Sequence, residues 1–278
     1  MAYRTPRTVA DAVGALAEPG ARVLAGGTDF YPALGDRPVN FPVVDISRIA
    51  ALKAVAQSEK GVRIGATATW SDLIATPLPA VFDGLKAAAR EVGAIQIQNS
   101  GTLVGNLCNA SPAADGVPAL LALDASVEVT GRWGTRTISL DEFITGVRTT
   151  ALGPAEMVTA ILVPPAPEGA ASAFLKLGAR RYLVISIAMV AAVIATERGR
   201  VSHAAVAVGS CSAVAQRLPA LEAALIGVAV DDISAHVMAE HLDPLSPISD
   251  IRADADYRSE AALELVKRGV AAAAGVGV

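Results

Sequence analysis

The stretch that decides the fold runs from residue 98 to residue 115: Gln98-Asn99-Ser100-Gly101-Thr102-Leu103-Val104-Gly105-Asn106-Leu107-Cys108-Asn109-Ala110-Ser111-Pro112-Ala113-Ala114-Asp115. Small and hydrogen-bonding residues stand here in place of the bulky apolar residues that are common elsewhere in the chain. Glycine, serine, asparagine and threonine leave main-chain N–H groups uncovered and let a ligand approach the backbone closely. The stretch therefore predicts a loop that contacts a phosphate-bearing cofactor.

A second segment of this kind lies upstream at residues 25–29, Ala-Gly-Gly-Thr-Asp, directly after a predicted strand. The N–H groups of Gly26 and Gly27 can converge on pyrophosphate oxygens, and Thr28 adds a hydroxyl donor. Asp29 would repel a phosphate, so we expect a backbone contact there, or a side chain turned to the N–H groups of its own turn. Alone, the segment is more typical of an ordinary Gly-Gly turn. It has neither a GxGxxG spacing nor a Walker A lysine, so it supports no Rossmann site and no P-loop.

Composition excludes several classes of protein. The 278 residues are 53% hydrophobic with a mean hydropathy of +0.46, which indicates a well-buried globular protein. The net charge of −4 disfavours nucleic acid and anionic membranes as partners. The longest apolar run, Leu183 to Ala195, is interrupted by Ser186 and is shorter than the roughly 20 residues of a membrane helix, so we expect a core segment and no membrane span. The N-terminus lacks the apolar region of a secretory signal, and the cytoplasm is the expected location.

Cysteine and histidine give no sign of a metal site. Cys108 and Cys211 cannot supply the four thiolates of an iron–sulfur cluster. His236 and His241 are five residues apart, which does not place two ligands on one helical face, and we expect both at the surface. Cys108 has no histidine nearby in sequence, so we expect a small packing residue rather than a nucleophile.

The spacing of hydrophobic residues and the positions of capping residues, glycine and proline predict alternating helices and strands. Helices are expected from the Thr8 cap through Leu16, over 82–92 and 117–123, and starting near Pro219, Ile233 and Tyr257. Strands are expected over 21–24, 43–46, 62–69, 126–130, 135–138, 157–163 and 173–177, with a further pair turning at 197–200. Three prolines in the Pro164–Gly169 segment forbid a continuous helix or central strand and predict a domain boundary there.

The two glycine-containing segments, with their neighbours, resemble the FAD-binding subunit of the molybdenum hydroxylases, the group that includes xanthine dehydrogenase and bacterial carbon monoxide dehydrogenase. The resemblance covers nearly the whole chain. It is carried by residues 23–30, by 98–102, by 105–123, by Phe174-Leu175-Lys176 with Arg180-Arg181, and by Ser249-Asp250-Ile251-Arg252 with Tyr257-Arg258.

The resemblance implies an α+β fold: a vanillyl-alcohol-oxidase-type (PCMH) FAD-binding domain over residues 1–166, in subdomains of about 1–55 and 56–166, and a C-terminal α+β domain of the CO dehydrogenase flavoprotein type over 167–278. It implies FAD-binding roles for two groups of residues. The first holds the pyrophosphate and comprises Arg22, Val23, Leu24, Ala25, Gly26, Gly27, Thr28, Asp29 and Phe30. The second forms the other wall and comprises Gly101, Thr102, Gly105, Asn106, Cys108, Asn109 and Asp115.

Asp115, already placed in the second wall, would accept hydrogen bonds from ribose or ribityl hydroxyls. Three further residues, Val158, Lys176 and Tyr182, are implicated by the same resemblance. Val158 and Lys176 match positions beside the flavin, where a cation would help to stabilise the anionic reduced ring; a surface salt bridge is the alternative for Lys176. Tyr182 would shield the flavin face, or else be an aromatic residue at the domain interface.

Two departures from the family pattern stand out. Val104 replaces the first of two glycines, so the turn expected there must suit a β-branched residue. Residues 182–184, Tyr-Leu-Val, replace the acidic residues found near the flavin in NAD-reducing xanthine dehydrogenases, which puts NAD in doubt as the acceptor. Because all three histidines lie in the C-terminal part, far from both segments in sequence, we expect non-covalent FAD.

The function implied is electron transfer within a complex. An iron–sulfur small subunit would deliver electrons to this FAD, a molybdopterin large subunit would hydroxylate the substrate, and the assembly would be a dimer of heterotrimers. Molybdopterin and [2Fe-2S] clusters are expected only in those partners, and the sequence identifies no catalytic residue and no metal ligand in this chain. Two alternatives remain: a stand-alone flavin oxidase, or an assembly subunit that has lost its cofactor.

Overall fold

A small parallel sheet opens the chain. The computed structural model describes residues 2–276. The first elements in chain order are β1 (Tyr3–Arg4), α1 (Val9–Leu16), β2 (Arg22–Leu24) and β3 (Val43–Asp45). The strand order is β1-β3-β2, so β3 lies in the middle and pairs in parallel with both neighbours. The α1 helix begins at the predicted cap, where the Thr8 hydroxyl accepts from the N–H of Asp11 at 3.1 Å.

A five-stranded antiparallel sheet follows, with helices inserted between its strands. Its elements are β4 (Val55–Ser58), β5 (Gly61–Gly65), α2 (Trp70–Ala75), α3 (Asp83–Glu91), α4 (Ile95–Ser100), α5 (Leu103–Asn109), α6 (Gly116–Ala122), β6 (Ser126–Gly131), β7 (Gly134–Ser139), α7 (Leu140–Phe143), β8 (Ile144–Gly146), β9 (Thr149–Thr150) and β10 (Met157–Val163). The sheet order is β4-β5-β10-β6-β7, and β8 pairs with β9 separately. The strand predicted over 62–69 ends at Gly65, because Thr69 and Asp72 form a capping box that begins α2.

The prediction of a loop over residues 98–115 is wrong for residues 98–109, which are largely helical in α4 and α5. The reason is a local cap: the Thr102 hydroxyl accepts from the N–H of Gly105 at 3.0 Å and begins α5. Val104 is buried in the first turn of that helix, so the turn expected at this position is also wrong. Ala110, whose φ of 46° lies in the left-handed region, ends α5.

A four-stranded antiparallel meander forms the C-terminal part. Its elements are β11 (Ala171–Leu177), β12 (Ala188–Glu197), β13 (Arg200–Gly209), β14 (Gln216–Arg217), α8 (Pro219–Leu225) and α9 (Ala255–Ala273). The predicted strand pair is confirmed, with Glu197 opposite Arg200 at its turn. The helix predicted near Ile233 is a 3₁₀ helix, Val230–His236, and the last helix, predicted to start near Tyr257, begins at Ala255 after the Asp254 cap.

The β12 strand is apolar along its length because both of its faces are buried. Met189 and Val193 belong to the core formed with α3 and α6, whereas Val190 and Ile194 belong to the core formed with α9. Fully buried strands are expected to lack polar alternation. The core is therefore continuous across the predicted boundary at 164–169. The apolar run predicted to be core from residue 183 onward is buried only from Ser186, since Leu183 and Ile185 are exposed.

A buried arginine ties the C-terminal elements together. Arg258 of α9, only 3% exposed, donates to the carbonyls of Ile187 and Ser210 and to Asp250 Oδ1. The Arg252 backbone N–H and the guanidinium groups of Arg252 and Arg258 hold the pKa of Asp250 well below its usual range. Ile187 and Asp250 end two different surface segments, so one guanidinium fixes both.

Across residues 2–276, no helix combines the length and apolar character needed to cross a membrane.

Candidate functional site

The two glycine-containing segments meet through backbone. A Cβ atom on Gly26 would lie 1.9 Å from the carbonyl oxygen of Ser100 and 2.9 Å from Cα of Gly101. No side chain fits in that space, so glycine is required by close approach. The structure thus brings together two segments that are more than seventy positions apart in sequence, as expected if both contact one cofactor. We call this the glycine contact.

The segment after β2 offers main-chain donors. Gly27 has a φ of 74°, and its carbonyl accepts from the N–H of Tyr31 at 3.3 Å. In the part of the chain that the structure describes, the N–H groups of Gly26, Gly27 and Thr28 donate to no protein acceptor, although all three residues are half-buried. Successive free N–H groups of this kind form an anion-binding concavity.

Asp29 is placed only partly as expected. Its side chain is exposed and, among the described residues, makes no hydrogen bond to the N–H groups of its turn, so that expectation is wrong. Its carbonyl accepts from the N–H of Ala33 at 3.0 Å. The exposed carboxylate makes no bond to the backbone donors that precede it, and the other expectation, a backbone contact, remains a prediction.

The second wall is built from α5 and the residues before it. Thr28 Oγ1 lies 3.2 Å from the position of a Cβ on Gly101, so the Thr28 hydroxyl reaches this wall. A Cβ on Gly105 would lie 2.8 Å from Thr102 Oγ1, which ties that glycine to the helix cap. Asn106 Oδ1 is buried, and within residues 2–276 no protein donor reaches it. A buried acceptor without a donor is costly, so this oxygen is suited to accept from a ligand.

Trp70, which the sequence patterns did not single out, joins this wall to the start of α6. Its backbone N–H donates to the carbonyl of Gly101 at 3.2 Å, and its ring approaches both Gly101 and Gly116. The residue is 2% exposed. A tryptophan in a chain that is only 4% aromatic was the available signal, but a buried tryptophan is more often a core residue than a site residue.

Asp115 and Lys176 form a buried ion pair. Lys176 Nζ lies 2.8 Å from Asp115 Oδ2, and Ser186 donates to Asp115 Oδ1 at 2.8 Å. Burial raises the pKa of Asp115, and the Lys176 ammonium and the Ser186 hydroxyl oppose that rise. Because both partners are buried, the surface salt bridge considered for Lys176 is wrong. The pair links α6 to the C-terminal sheet, and each Asp115 oxygen retains acceptor capacity.

Two of the predicted FAD-binding residues, Arg22 and Phe30, pack with an aromatic cluster beside β2. The Arg22 guanidinium lies 4.0 Å from the centroid of Phe41, and Phe30 packs edge-on against Phe41 and Tyr31. Val23 and Ala25 are half-buried and Leu24 is buried, so these three residues hold the segment against the core.

The remaining predicted FAD-binding residues do not share one environment: Cys108 and Val158 pack inside, whereas Asn109 and Tyr182 contact arginine side chains. Burial raises the pKa of the Cys108 thiol to about 12, which agrees with a packing residue rather than a nucleophile. The Asn109 carbonyl accepts from Arg148 at 3.1 Å. Val158 is buried in β10, which packs against α5. Tyr182 is 63% exposed beside Arg181, so it is not buried at a domain interface within this chain.

Comparison with known proteins identifies the family. Residues 1–166 match the model of the FAD binding domain in molybdopterin dehydrogenase, and residues 173–273 match the CO dehydrogenase flavoprotein C-terminal domain. The nicotine 6-hydroxylase medium subunit of Paenarthrobacter nicotinovorans is 32% identical over 96% of this chain and 94% of its own length. The carbon monoxide dehydrogenase medium chain of Hydrogenophaga pseudoflava is 31% identical over 98% and 96%.

A solved structure has the same fold as this chain. Reconstituted CO dehydrogenase from Oligotropha carboxidovorans superposes with a TM-score of 0.91 at 28% identity, over all of this chain and 98% of the matched chain. The α+β flavoprotein fold predicted from the sequence is thereby confirmed. The chain belongs to the FAD-binding medium subunits of the molybdenum hydroxylase family and is, like its relatives, a flavoprotein subunit of an oxidoreductase complex.

Proposed function

We propose that this chain takes electrons from an iron–sulfur subunit and passes them to an external acceptor, through FAD held non-covalently between the two segments that meet at the glycine contact. That contact is the observation that carries the proposal, because it brings a segment with free backbone donors against the segment that leads into α5, where a buried amide oxygen also lacks a protein donor among the described residues. FAD supplies the redox chemistry when bound, since it stores two electrons. The protein binds and orients it.

The residues present fit FAD. The free N–H groups of Gly26, Gly27 and Thr28 would hold the pyrophosphate, as an anion needs several convergent donors. Asn106 Oδ1 would accept from a hydroxyl or an N–H of the cofactor, which would remove its burial penalty. The other predicted residues of the two walls contribute backbone and packing around these groups.

Asp115 and Lys176 would act as a neutral pair. Asp115 would accept from a ribose or ribityl hydroxyl with the lone pairs left by Lys176 and Ser186. Lys176 would lend less positive charge to a reduced flavin than an unpaired lysine, because its ammonium is already neutralised at 2.8 Å. Val158 would pack beside the ring, and exposed Tyr182 would cover its face.

The partners proposed are the iron–sulfur small subunit and the molybdopterin large subunit, in a dimer of heterotrimers. Support comes from exposed apolar side chains on the two segments that Arg258 fixes: Leu183 and Ile185 on the first, and Ile251, which is 98% exposed, on the second. Leu183 and Ile185 line a groove together with Arg252. Grouped exposed apolar residues with a polar rim favour a protein interface. We call this group the outer patch. A cytoplasmic location stays a prediction from the sequence.

The acceptor proposed is not NAD. The segment that carries Tyr182 has no acidic residue between Arg180 and Ile187, and the Arg180 guanidinium donates to the carbonyl of Leu183 in the same segment. Dye or oxygen is the acceptor to test first.

One test addresses the cofactor site. Gly26→Ala places a Cβ against the Ser100 carbonyl, so the two walls must separate and we expect FAD affinity to fall by about tenfold or more, roughly 1.4 kcal/mol per factor of ten. The matched control is Gly14→Ala in α1, where a Cβ meets nothing within 4 Å. That control should keep FAD affinity and gain up to about 1 kcal/mol in helix stability. Flavin titration and thermal unfolding measure both. Equal FAD affinity in the two variants would contradict the site.

Electron transfer is tested with the assembled complex. After reduction of the iron–sulfur subunit, we expect flavin bleaching in the wild-type complex and its recovery on adding dye or oxygen. In a complex carrying Gly26→Ala we expect full cluster reduction, with flavin bleaching reduced in proportion to the FAD that is lost. Turnover of a small substrate by the isolated chain would instead favour a stand-alone oxidase. Flavin content and electron transfer that survive bulky replacement of both Gly26 and Gly27 would favour the assembly role.

A third experiment tests the outer patch. Ile251→Asp places a charge on a side chain that is almost fully exposed, so folding and FAD content should not change. We expect co-purification with the partner subunits to fall by about tenfold, since a buried unpaired charge opposes interface formation. Ile226→Asp, at an exposed isoleucine beyond α8, is the matched control. If the two variants assemble equally well, the outer patch is not an interface.

A further inference from the structure

We infer that Trp70 is a positioning residue that sets the spacing between Gly101, at the start of the second wall, and Gly116, next to Asp115. The inference rests on the proposed FAD site and adds to it a residue outside both glycine-containing segments. We assign Trp70 no contact with the reacting atoms of the flavin. It acts through the backbone of the residues that do the binding.

The indole spans the distance between the two glycines. On one side, Cδ1 of Trp70 lies 3.4 Å from the position of a Cβ on Gly101. The backbone N–H of Trp70 separately donates to the Gly101 carbonyl at 3.2 Å. On the other side, Cη2 lies 2.7 Å from the position of a Cβ on Gly116. Opposite ends of one rigid aromatic ring system therefore contact the two backbones, and the length of the indole fixes their separation.

The ring itself is held firmly. Thr69 and Asp72 form the capping box that begins α2 at Trp70, and Thr69 pairs with Thr102 in an isolated antiparallel bridge. The N–H of Leu103 also donates to the carbonyl of Ala68 at 3.4 Å. The backbone on either side of Trp70 is thus bonded to residues 101–103, which fixes the position from which the ring extends, and the ring is confined because the residue is 2% exposed.

Gly116 is wedged between Trp70 and the cofactor wall. Asn106 Oδ1 lies 3.1 Å from the same Cβ position that Trp70 Cη2 approaches to 2.7 Å. Asp115 immediately precedes Gly116, so the place of the Asp115–Lys176 pair relative to α5 follows from this contact. A shorter ring would let Gly116 and Asp115 move toward Gly101 and would change the surroundings of the bound flavin.

The test uses two substitutions that address one contact from opposite sides. Trp70→Phe shortens the ring, and Gly116→Ala inserts a Cβ that collides with Cη2. Both are made in a Trp133→Phe background, which removes the 87% exposed tryptophan on the β6–β7 turn and leaves Trp70 as the only emitting indole. In that background we expect bound FAD to quench the Trp70 emission.

Each single substitution should weaken FAD binding by about tenfold and alter the visible circular dichroism of the bound flavin. The double variant W70F/G116A should return FAD affinity to within about twofold of the background, because the shortened ring leaves room for the new Cβ. Thermal unfolding of the FAD-free variants separates these effects from loss of fold. G116A probes the contact even if W70F folds poorly, since it removes no buried ring.

The outcomes separate this inference from the proposed function. A background chain that binds no FAD contradicts both. A background chain that binds FAD, together with W70F and G116A variants that bind it with equal affinity and an unchanged visible spectrum, contradicts the role of Trp70 alone. So does a double variant whose loss equals the sum of the two single losses.

Discussion

The site depends on one steric constraint, the contact of the Gly26 backbone with the carbonyl of Ser100. Any side chain at position 26 would occupy the space of that oxygen. The contact fixes where the end of a parallel strand meets the cap of α5, and the N–H groups of residues 26–28 beside it have no protein acceptor in the described part of the chain. Gly101, Thr28 and Trp70 pack around the same point. Small residues here meet a geometric requirement of two backbones and not a requirement for flexibility.

A second constraint holds the C-terminal part against the site. The β12 strand contributes one face to each of two cores, so the C-terminal sheet is packed firmly on α3 and α6. The buried pair of Asp115 and Lys176, with Ser186, crosses the same junction. Removing one member of a buried pair leaves an uncompensated charge, which costs about 3–5 kcal/mol. The pair therefore fixes the position of the second wall relative to β11, whatever it contributes to cofactor binding.

Much of this could be predicted from the sequence, because local chemistry specifies it. Thr8 and the turn at 197–200 each act through neighbouring residues, and the structure has the expected helix start and strand pair there. The loop prediction over 98–109 failed because glycine and asparagine have low helix propensity, whereas the Thr102 cap and packing against α2 override it. The pairing of Asp115 with Lys176 and the contacts of Trp70 depend on distant residues, and one sequence does not reveal which distant residues meet.

The central claim, that FAD binds to the backbone donors beside the glycine contact, is tested most directly by hydrogen exchange of the individual amides with and without FAD. The account predicts that the N–H groups of Gly26, Gly27 and Thr28, which have no protein acceptor in the described part of the chain, exchange quickly without FAD and become protected when it binds. Amides in α9, on the far face of the C-terminal sheet, should not change. FAD binding that leaves the exchange of residues 26–28 unaltered would contradict the account.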